Sequence, residues 1–325
     1  MNNYHVETVR SSSLLPELST KNVFHSVEMF RVLEKVSGCT PYMIVVTDDK
    51  RRVRAHMLAI LWRRGSLLPP YLFSQGRVYG EGVYADDGER KVLFPMMLDA
   101  VAKAFQHKLC LFIEFSHISS KMFGYRDFRR HGFFPLPWIH IRNSLHSMVP
   151  EERLPEQLLR TIDKGYTAGI VTREAETDDE VRAFWKMLKN YYRFKFHRYI
   201  PSESFCLCLE RSSIGKVFVT LSHDKVIGGS IVVYSDKDAY LWFVASKRKS
   251  HPLHHPDVMT VWHAIKSSFD GGMRHICFMN VGLPLRRSRY REFILSFGGK
   301  QVSSYRWFHF TIGWMNKLLS WIYRE

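Results

Sequence analysis

The feature that most constrains the fold of this chain is an internal repeat between its two halves. The tetrapeptide Tyr125-Arg-Asp-Phe128 returns later in the chain as Tyr290-Arg-Glu-Phe293. A proline opens a long apolar helical pattern in each half, at Pro95 and at Pro256. Each match is short, but matches that keep the same order along two halves indicate a duplicated fold.

The segments around these matches follow the same order of predicted elements. Asp49-Lys50 and Asp224-Lys225 each lie in a turn between two strand-like runs, which predicts an equivalent hairpin in each half. Each half then shows a long helix, an apolar strand, a short helix, a glycine stop and a closing strand. The order therefore predicts an α/β (α+β) protein of two tandem domains, each a mixed, largely antiparallel sheet flanked by helices.

The length of 325 residues suits two domains of ordinary size. A stretch with prolines, charges and weak periodicity separates the halves. We therefore expect an N-terminal domain at 1–150, a linker at 151–172, and a C-terminal domain at 173–325 that ends in an amphipathic tail. The same patterns assign 69–82 to an irregular, glycine-bearing segment.

The chain is strongly basic, with 47 Lys and Arg against 31 Asp and Glu, a net charge of +16 and a pI of about 9.7. The basic residues are clustered at Arg51-Arg52-Val53-Arg54, Arg63-Arg64, Arg129-Arg130, Lys247-Arg248-Lys249 and Arg286-Arg287-Ser288-Arg289. One such cluster taken alone is better explained as a solvated surface. Together they favour an anionic partner: tRNA, CoA, a lipid-linked precursor or an anionic membrane surface.

Several classes of protein are disfavoured by the sequence. It contains no run of eighteen apolar residues, and its first twenty residues lack the apolar segment of a secretory signal. The five cysteines show no metal-ligand spacing, and His251, His254 and His255 lie among prolines without nearby acids or thiols. We expect a cytoplasmic protein with reduced thiols, no metal site and no tightly bound cofactor.

A set of short motifs in a fixed order adds a family resemblance. The motifs are Phe24-His-Ser26, Lys225-Val-Ile-Gly228-Gly229, Ala239-Tyr240 with Ala245-Ser246, Trp262-His-Ala264-Ile265 with Gly271-Gly272, Asn280-Val-Gly282, and Phe293-x-x-x-Phe297-Gly298-Gly299. Together they resemble the FemA/FemB/FemX-like branch of the GNAT acyltransferase superfamily. This resemblance implies two GNAT-like domains, which agrees with the repeat.

The resemblance also implies a chemistry. Members of this branch transfer an amino acid from aminoacyl-tRNA to an amine of a peptidoglycan precursor, and relatives use acyl-CoA donors. In a GNAT fold, splayed strands supply backbone N–H groups to the oxyanion, so no Ser/His/Asp signature is needed. The family pattern places a lysine directly after the aromatic residue of its last motif, whereas this chain has Ile294 there. That departure puts the tRNA-dependent reaction in doubt.

The polar loop and short helix of the second half hold the candidate catalytic residues. Tyr290 is a candidate proton donor to the leaving group, and Asn280 and Arg291 are candidates to bind or polarise the carbonyl. The alternative is that Tyr290 packs on the repeat partner and that Asn280 only caps a loop.

The candidate donor-binding residues are basic. Lys247 and Arg248 follow a predicted strand, at the place where a CoA-dependent GNAT domain has a glycine-rich pyrophosphate loop, but here the loop has no glycine and two prolines. Arg286 and Arg287 are the other two candidates. Any pyrophosphate at this place would have to be held by side-chain charge.

The candidate acceptor-binding residues lie in the first half. Arg77 and Tyr79 belong to Arg77-Val-Tyr-Gly80-Glu-Gly82, which fits the glycine-rich pattern by letter but lies too far from the next helix to cap it. Glu114, at the end of an apolar strand, is a candidate to bind or deprotonate an amine. The alternative for Glu114 is an ordinary surface carboxylate.

Three functions remain open from the sequence. The first is an aminoacyl- or acyltransferase that forms an amide on an amine of a cell-envelope precursor, in peptidoglycan or cell-wall biogenesis. The second is an acyl-CoA-dependent N-acyltransferase of an amino-sugar or lipoamino acid. The third is a non-catalytic binding protein that retains the fold. The tail after Gly313 has tryptophans at both ends, which suits either peripheral contact with an anionic membrane or a helix docked on its own domain.

Overall fold

The structure is a computed structural model, and it describes residues 3–65, 72–106, 109–193, 199–284 and 287–323. The chain divides into two compact units. Unit 1 consists of Met1–Trp138 together with Ser303–Glu325, and unit 2 consists of Ile139–Val302. Unit 2 is therefore continuous in sequence, whereas unit 1 is assembled from both ends of the chain.

The helices and strands alternate along the chain as the repeat predicts. In order they are β1 Tyr4–Val9, α1 Val27–Glu34, β2 Cys39–Asp48, β3 Val53–Gly65, β4 Leu72–Tyr79, β5 Val83–Tyr84, α2 Arg90–Phe105, β6 Cys110–Ser116, α3 Tyr125–Arg130, β7 Phe134–Ser144, α4 Glu156–Thr167, β8 Val171–Glu174, α5 Asp178–Tyr192, α6 Glu203–Glu210, β9 Gly215–Ser222, β10 Lys225–Ser235, β11 Asp238–Ser246, α7 Pro256–Asp270, β12 His275–Phe278, α8 Arg289–Leu295, β13 Lys300–Phe310 and α9 Gly313–Ile322.

Unit 1 is built on a sheet in which the strands follow the order β1-β2-β3-β4-β6-β13. The β4–β6 pair is parallel, and the other pairs with a defined register are antiparallel. Helix α2 buries its apolar face on this sheet through Phe94 and Phe105. Trp307 of β13 stacks on Phe128 of α3 with ring centroids 4.6 Å apart. Burial of these aromatic side chains supplies much of the unit's hydrophobic stabilisation.

In unit 2 the strands follow the order β7-β12-β11-β10-β9-β8. Only the β11–β12 pair is parallel among the pairs whose register the described residues define. Helix α5 begins at a side-chain N-cap, in which Thr177 Oγ1 accepts from the backbone N–H of Glu180 at 3.3 Å. Helix α7 covers the opposite face of the sheet through Met259 and Trp262. The predicted fold class, two tandem mixed α/β domains, is confirmed.

The closing strand of each repeat belongs to the unit built by the other repeat. Strand β7 ends the first repeat, but its residues Ile141–Ser144 pair antiparallel with β12 in unit 2. Strand β13 ends the second repeat, but its residues Trp307–Phe310 pair antiparallel with β6 in unit 1. The expected domain boundaries, 1–150 and 173–325 with a linker at 151–172, follow the sequence repeat. They stay a prediction.

Two segments differ from the sequence-based expectation. The segment 69–82 was expected to be irregular, but Leu72–Tyr79 forms β4, a central strand. Gly76 weakens the strand pattern, yet a Cβ at this position would lie 2.6 Å from the ring of Phe105, so the glycine allows α2 to approach the sheet. The predicted linker contains helix α4, which packs Gly165 against Met259 of α7.

Candidate functional site

The parallel strands of unit 2 separate before β11 ends. Their pairing runs from Asp238 opposite His275 to Leu241 opposite Phe278, where β12 stops. Strand β11 continues to Ser246, and among the described residues no strand pairs with it on this side beyond Leu241. The chain leaves β12 into a polar loop at Asn280, and the two strands thereby form an opening where their pairing ends.

A β-bulge lies at the mouth of this opening. Against β10, Leu241 pairs with Val232 and Phe243 pairs with Ile231, so Trp242 is an extra residue in β11. The Trp242 carbonyl oxygen accepts from Asn280 Nδ2 at 3.5 Å, and the Val244 carbonyl accepts from the Tyr192 hydroxyl at 3.4 Å. Because the N–H and C=O of a strand residue point to the same side, the N–H of Val244 also faces this opening.

Unit 1 has the corresponding parallel pair, but it stays closed. Strands β4 and β6 pair from Ser74 through Tyr79, to the last residue of β4. The next residue, Gly80, still donates its N–H to the Ser116 carbonyl at 2.7 Å. The two repeats therefore share a fold but differ at the place where strands must separate to admit a ligand.

The candidate catalytic residues Tyr290 and Arg291 lie on α8, directly after the polar loop. Ser288 caps this helix through its hydroxyl, which accepts from the Arg291 N–H at 3.3 Å. The Arg291 guanidinium donates to the Leu283 carbonyl at 2.7 Å and so ties α8 to the loop that follows β12. Tyr290 is half-buried beside Phe293 and packs on the core of unit 2. The structure brings Asn280 and Arg291 to the same loop.

Ile294, where the family pattern has a lysine, is completely buried in the hydrophobic core of unit 2. A lysine in this orientation would have to place its ammonium group among apolar side chains at considerable cost. An isoleucine is therefore the side chain that the observed helix register requires.

The candidate donor-binding residues lie on exposed segments of unit 2. Arg248 follows β11 and pairs with Asp257, whose carboxylate lies 3.2 Å from the guanidinium and is only 15% exposed. Asp257 belongs to the first turn of α7, directly after Pro256. A side-chain anion thus already lies at this helix start, where an incoming diphosphate would be repelled.

Two other donor candidates, Lys247 and Arg287, are solvated. Lys247 is exposed, and Arg287 is 89% exposed with its side chain paired to Glu292 at 2.9 Å. Arg286 lies outside the described residues. A donor-binding role for these residues stays a prediction.

The candidate acceptor residues of unit 1 form part of a buried charge cluster. Glu114 accepts from Arg77 at 3.1 Å and from Arg306 at 2.9 Å, one guanidinium for each carboxylate oxygen. The guanidinium of Arg306 also lies over the Trp138 ring, 3.8 Å from its centroid. Tyr79 is buried and stacks on Phe24 at 5.3 Å.

Sequence reasoning missed Arg306. It lies on the closing strand of the second repeat, far from Glu114 in sequence, and only the exchange of closing strands between the repeats brings the two together. The alternation of apolar and polar residues in Tyr305-Arg306-Trp307-Phe308 was the available signal. It would have placed Arg306 on the face opposite Trp307.

The Phe24-His25-Ser26 motif has a structural explanation in unit 1. His25 is fully buried, and its ring nitrogens face the backbone N–H groups of Leu58 at 3.0 Å and Gly82 at 3.1 Å. Burial, together with the nearby ring of His56, lowers the pKa of His25 to about 3. His25 is therefore a neutral side chain that joins β3 to the glycine-bearing loop after β4.

The described residues contain no group of three or more His, Cys, Asp or Glu side chains that could hold a metal ion. Likewise, no helix in the described ranges is long and apolar enough to cross a bilayer.

The comparisons with known proteins identify the domain that contains the opening. The sequence pattern of the acetyltransferase (GNAT) domain matches residues 153–284. This range begins just before α4 and ends in the polar loop after β12, so it includes both splayed strands and Asn280. No curated protein sequence matches the chain.

Solved structures share the fold over nearly the whole chain. The crystal structure of FemX matches with a TM-score of 0.61 and 10% identity, covering 93% of this chain and 96% of that one. L-PGS from Bacillus licheniformis matches at 0.57 and 11% identity, with 91% and 92% covered. A tandem GNAT protein from the clavulanic acid biosynthesis pathway matches at 0.56 and 11% identity, with 94% and 99% covered.

At these identities the likeness concerns the fold alone. It confirms the resemblance to the FemX-like branch at that level, and with the matched domain it gives the chain the domain and the fold of an acyltransferase.

Proposed function

We propose that this protein is an acyltransferase that forms an amide on an amine, and that the reaction takes place in unit 2. The observation that carries this proposal is the open end of β11 and β12, with its bulge at Trp242 and the side chain of Asn280 beside it. The closed β4–β6 pair of unit 1 supports the same choice, because it offers no comparable strand edge.

The proposed reaction needs only positioning, proton transfer and an oxyanion site. The amine nitrogen attacks the carbonyl carbon of an ester or thioester, and the C–N bond forms as the carbonyl oxygen becomes negative. In this proposal, backbone N–H groups at the β11 edge and the Asn280 amide donate to this oxygen. The attacking nitrogen loses its extra proton to solvent. When the intermediate collapses, the C–O or C–S bond breaks and the leaving alcohol or thiol takes a proton, for which Tyr290 is the candidate donor; solvent then returns a proton to the tyrosine.

We propose aminoacyl-tRNA as the donor and a lipid-linked or other envelope precursor as the acceptor, at the cytoplasmic face of the membrane. Two neighbours in fold, FemX and L-PGS, and the implied family chemistry support this choice. The net charge of +16 suits a polyanionic donor. Asp257 at the start of α7 disfavours a diphosphate held there in the manner of CoA.

An acyl-CoA-dependent N-acyltransferase is the second candidate. It is favoured by the fold shared with the tandem GNAT protein of the clavulanic acid pathway, whose structure is specified as the form without AcCoA. Under this proposal Lys247 and Arg248 would hold the diphosphate by charge alone. A non-catalytic binding protein is the third candidate, and the buried Ile294 shows that the lysine of the family pattern has no counterpart at that position.

Thermal shift and transfer assays distinguish the three. The melting temperature is measured with charged tRNA, uncharged tRNA and acetyl-CoA, since a ligand of the native state must raise it. Stabilisation by charged tRNA, with transfer to an amine lost in Asn280→Ala, supports the proposal. Stabilisation by acetyl-CoA alone selects the second candidate. No shift with any donor, and no transfer by the wild type, would leave only the third.

A matched control separates chemistry from folding in this assay. Asn190→Ala changes an exposed amide on α5, outside β11 and β12, and should leave transfer unchanged. If Asn190→Ala and Asn280→Ala reduce transfer equally while both proteins stay folded, Asn280 has no specific role at the opening.

A further inference from the structure

Helix α9 is docked on unit 1 through the polar side chains of Asn316 and Ser320, with Met315 and Leu319 half-buried beside them, whereas its largest apolar side chains face solvent. Asn316 is buried: its amide donates to the Gly132 carbonyl at 2.9 Å and its carbonyl oxygen accepts from the Phe310 N–H at 2.9 Å. Ser320, one turn further, accepts from Arg129 of α3 at 3.3 Å. This orientation is the reverse of the usual one for a surface helix.

The outward face carries large apolar side chains at helical spacing. Trp314 is 71% exposed, Leu318 47% and Trp321 70%, at positions i, i+4 and i+7 of one stripe. Ile322 lies beside them and is also more than half exposed. Single exposed apolar residues are ordinary, but a stripe with a tryptophan at each end marks a surface that another phase or molecule covers.

The charge around this stripe indicates what covers it. Lys317 is exposed and lies between Trp314 and Trp321 along the edge of the stripe. Arg129 touches the helix and Arg130 next to it is exposed, whereas Gly313–Ile322 contains no Asp or Glu. The face is therefore apolar with a cationic rim.

We propose that the outward face of α9 is an interfacial anchor that lies flat on an anionic lipid bilayer. The helix has ten residues and is roughly 15 Å long, so it can lie along a surface but cannot cross one. Tryptophan indoles at both ends suit the headgroup region, and Lys317 with the α3 arginines faces the lipid phosphates. The inference concerns a surface of unit 1 and does not depend on the chemistry proposed for unit 2.

A second copy of this chain fits the face less well. In a two-fold contact each subunit presents the same patch, so Lys317 and its neighbouring arginines would meet the same cations of the partner. A bilayer that contains anionic lipid avoids this repulsion, because the same cations are attracted to its negatively charged headgroups.

Vesicle binding tests the proposal with the full-length protein. Vesicles of equal parts phosphatidylglycerol and phosphatidylcholine are compared with phosphatidylcholine alone, by co-sedimentation and by quenching of tryptophan fluorescence with brominated lipid. The wild type should bind the anionic vesicles and show quenching. Trp314→Ser/Trp321→Ser should lower the partition coefficient by roughly tenfold or more. Lys317→Glu should lower it by roughly fivefold or more, and added salt should weaken wild-type binding.

The control variant removes exposed apolar area elsewhere on unit 1. Leu14→Ser/Val92→Ser changes two exposed residues outside α9 and should bind vesicles as the wild type does. All variants are first shown to have the wild-type circular dichroism spectrum and melting temperature.

Three results overturn the proposal. The first is wild-type protein that binds neither kind of vesicle, and the second is a tryptophan variant that binds as well as the wild type. The third is a dimer in light scattering that the tryptophan variant converts to a monomer, with vesicle binding absent, because the face would then join two copies. Transfer to a water-soluble amine should be unchanged in the tryptophan variant, so failure of this proposal leaves the proposed function to its own assay.

Discussion

Glu114 lies between two buried guanidinium groups, and this arrangement decides what its carboxylate can do. Each oxygen accepts from a different arginine, Arg77 or Arg306, and all three side chains are almost fully buried. Neither the amine-binding nor the surface-carboxylate interpretation describes this environment, because the carboxylate is already engaged. A role for Arg77 and Glu114 in acceptor binding stays a prediction, and it would have to act through the guanidinium groups.

The energetic consequence can be measured at this residue. Glu114→Gln removes the carboxylate charge that pairs with two buried guanidinium groups, so the free energy of unfolding should fall by about 3–5 kcal/mol. Urea unfolding gives this value. The control is Glu156→Gln, which breaks an exposed pair with Arg160 and should change the free energy by less than about 0.5 kcal/mol. Equal effects of the two substitutions would show that the buried cluster contributes no more than a surface pair.

His25 gives unit 1 a predictable sensitivity to acid. Its pKa is about 3 in the folded chain because burial disfavours the charged ring, against an ordinary value of 6.5. A histidine whose folded pKa is depressed contributes stability that is present above about pH 6.5 and is lost as pH falls toward 3. Between pH 7 and pH 5 the wild type should lose up to roughly 2 kcal/mol from this group.

Substitution separates this effect from the rest of the titration. His25→Asn cannot take up a proton, so the decrease in unfolding free energy between pH 7 and pH 5 should be smaller in this variant than in the wild type. His5→Asn, at an exposed position of β1, should lose as much as the wild type. If His25→Asn and the wild type lose the same stability on acidification, the ring does not titrate as its burial requires.

Strand β10 shows why two consecutive glycines occur in the second hairpin. A Cβ on Gly228 would collide with the Thr260 hydroxyl of α7, and a Cβ on Gly229 would lie 2.8 Å from the Phe218 carbonyl and against the Phe184 ring of α5. Neighbouring residues of a strand face opposite sides of the sheet. The pair therefore lets one helix approach the strand from each side.

This packing predicts a cost for adding a single methyl group. Gly228→Ala and Gly229→Ala should each lower the free energy of unfolding by about 1–3 kcal/mol, because the core must shift to accept the new atom. Thermal unfolding of both variants tests this. Gly313→Ala is the matched control, since a Cβ there meets nothing within 4 Å and the helix position should gain up to about 1 kcal/mol. Wild-type stability in both β10 variants would rule out tight packing of α5 and α7.

Local patterns predicted most elements of this chain but not the contacts between distant ones. Helix α5 was predicted from the carboxylates of its first turn and α7 from its apolar run, and both hairpins from their turns. Strand β4 was missed because Gly76 serves a neighbouring helix, which a single-sequence pattern does not show. The place where β11 and β12 separate was not predictable from local patterns either, because it depends on where β12 stops relative to β11.

At the scale of the whole molecule, the exchange of closing strands determines which parts of the chain can fold together. Sequence order suggests that each repeat closes its own sheet, since consecutive strands are usually neighbours in space. Here β7 completes unit 2 and β13 completes unit 1. Unit 2 is consequently a continuous segment, Ile139–Val302, whereas unit 1 needs both ends of the chain.

A fragment cut at the boundaries of unit 2 should therefore behave differently from one cut at the boundaries of the sequence repeat. The fragment 139–302 keeps the β7–β12 pairing and the bond from Asn143 Nδ2 to the Phe297 carbonyl at 2.7 Å, so it should melt cooperatively in far-ultraviolet circular dichroism. The fragment 151–325 lacks Asn143 and the rest of β7 and carries Ser303–Glu325 without its partners in unit 1. It should aggregate, or melt at a lower temperature without a sharp transition. If 151–325 proves at least as stable as 139–302, β7 does not stabilise unit 2 as its hydrogen bonds indicate.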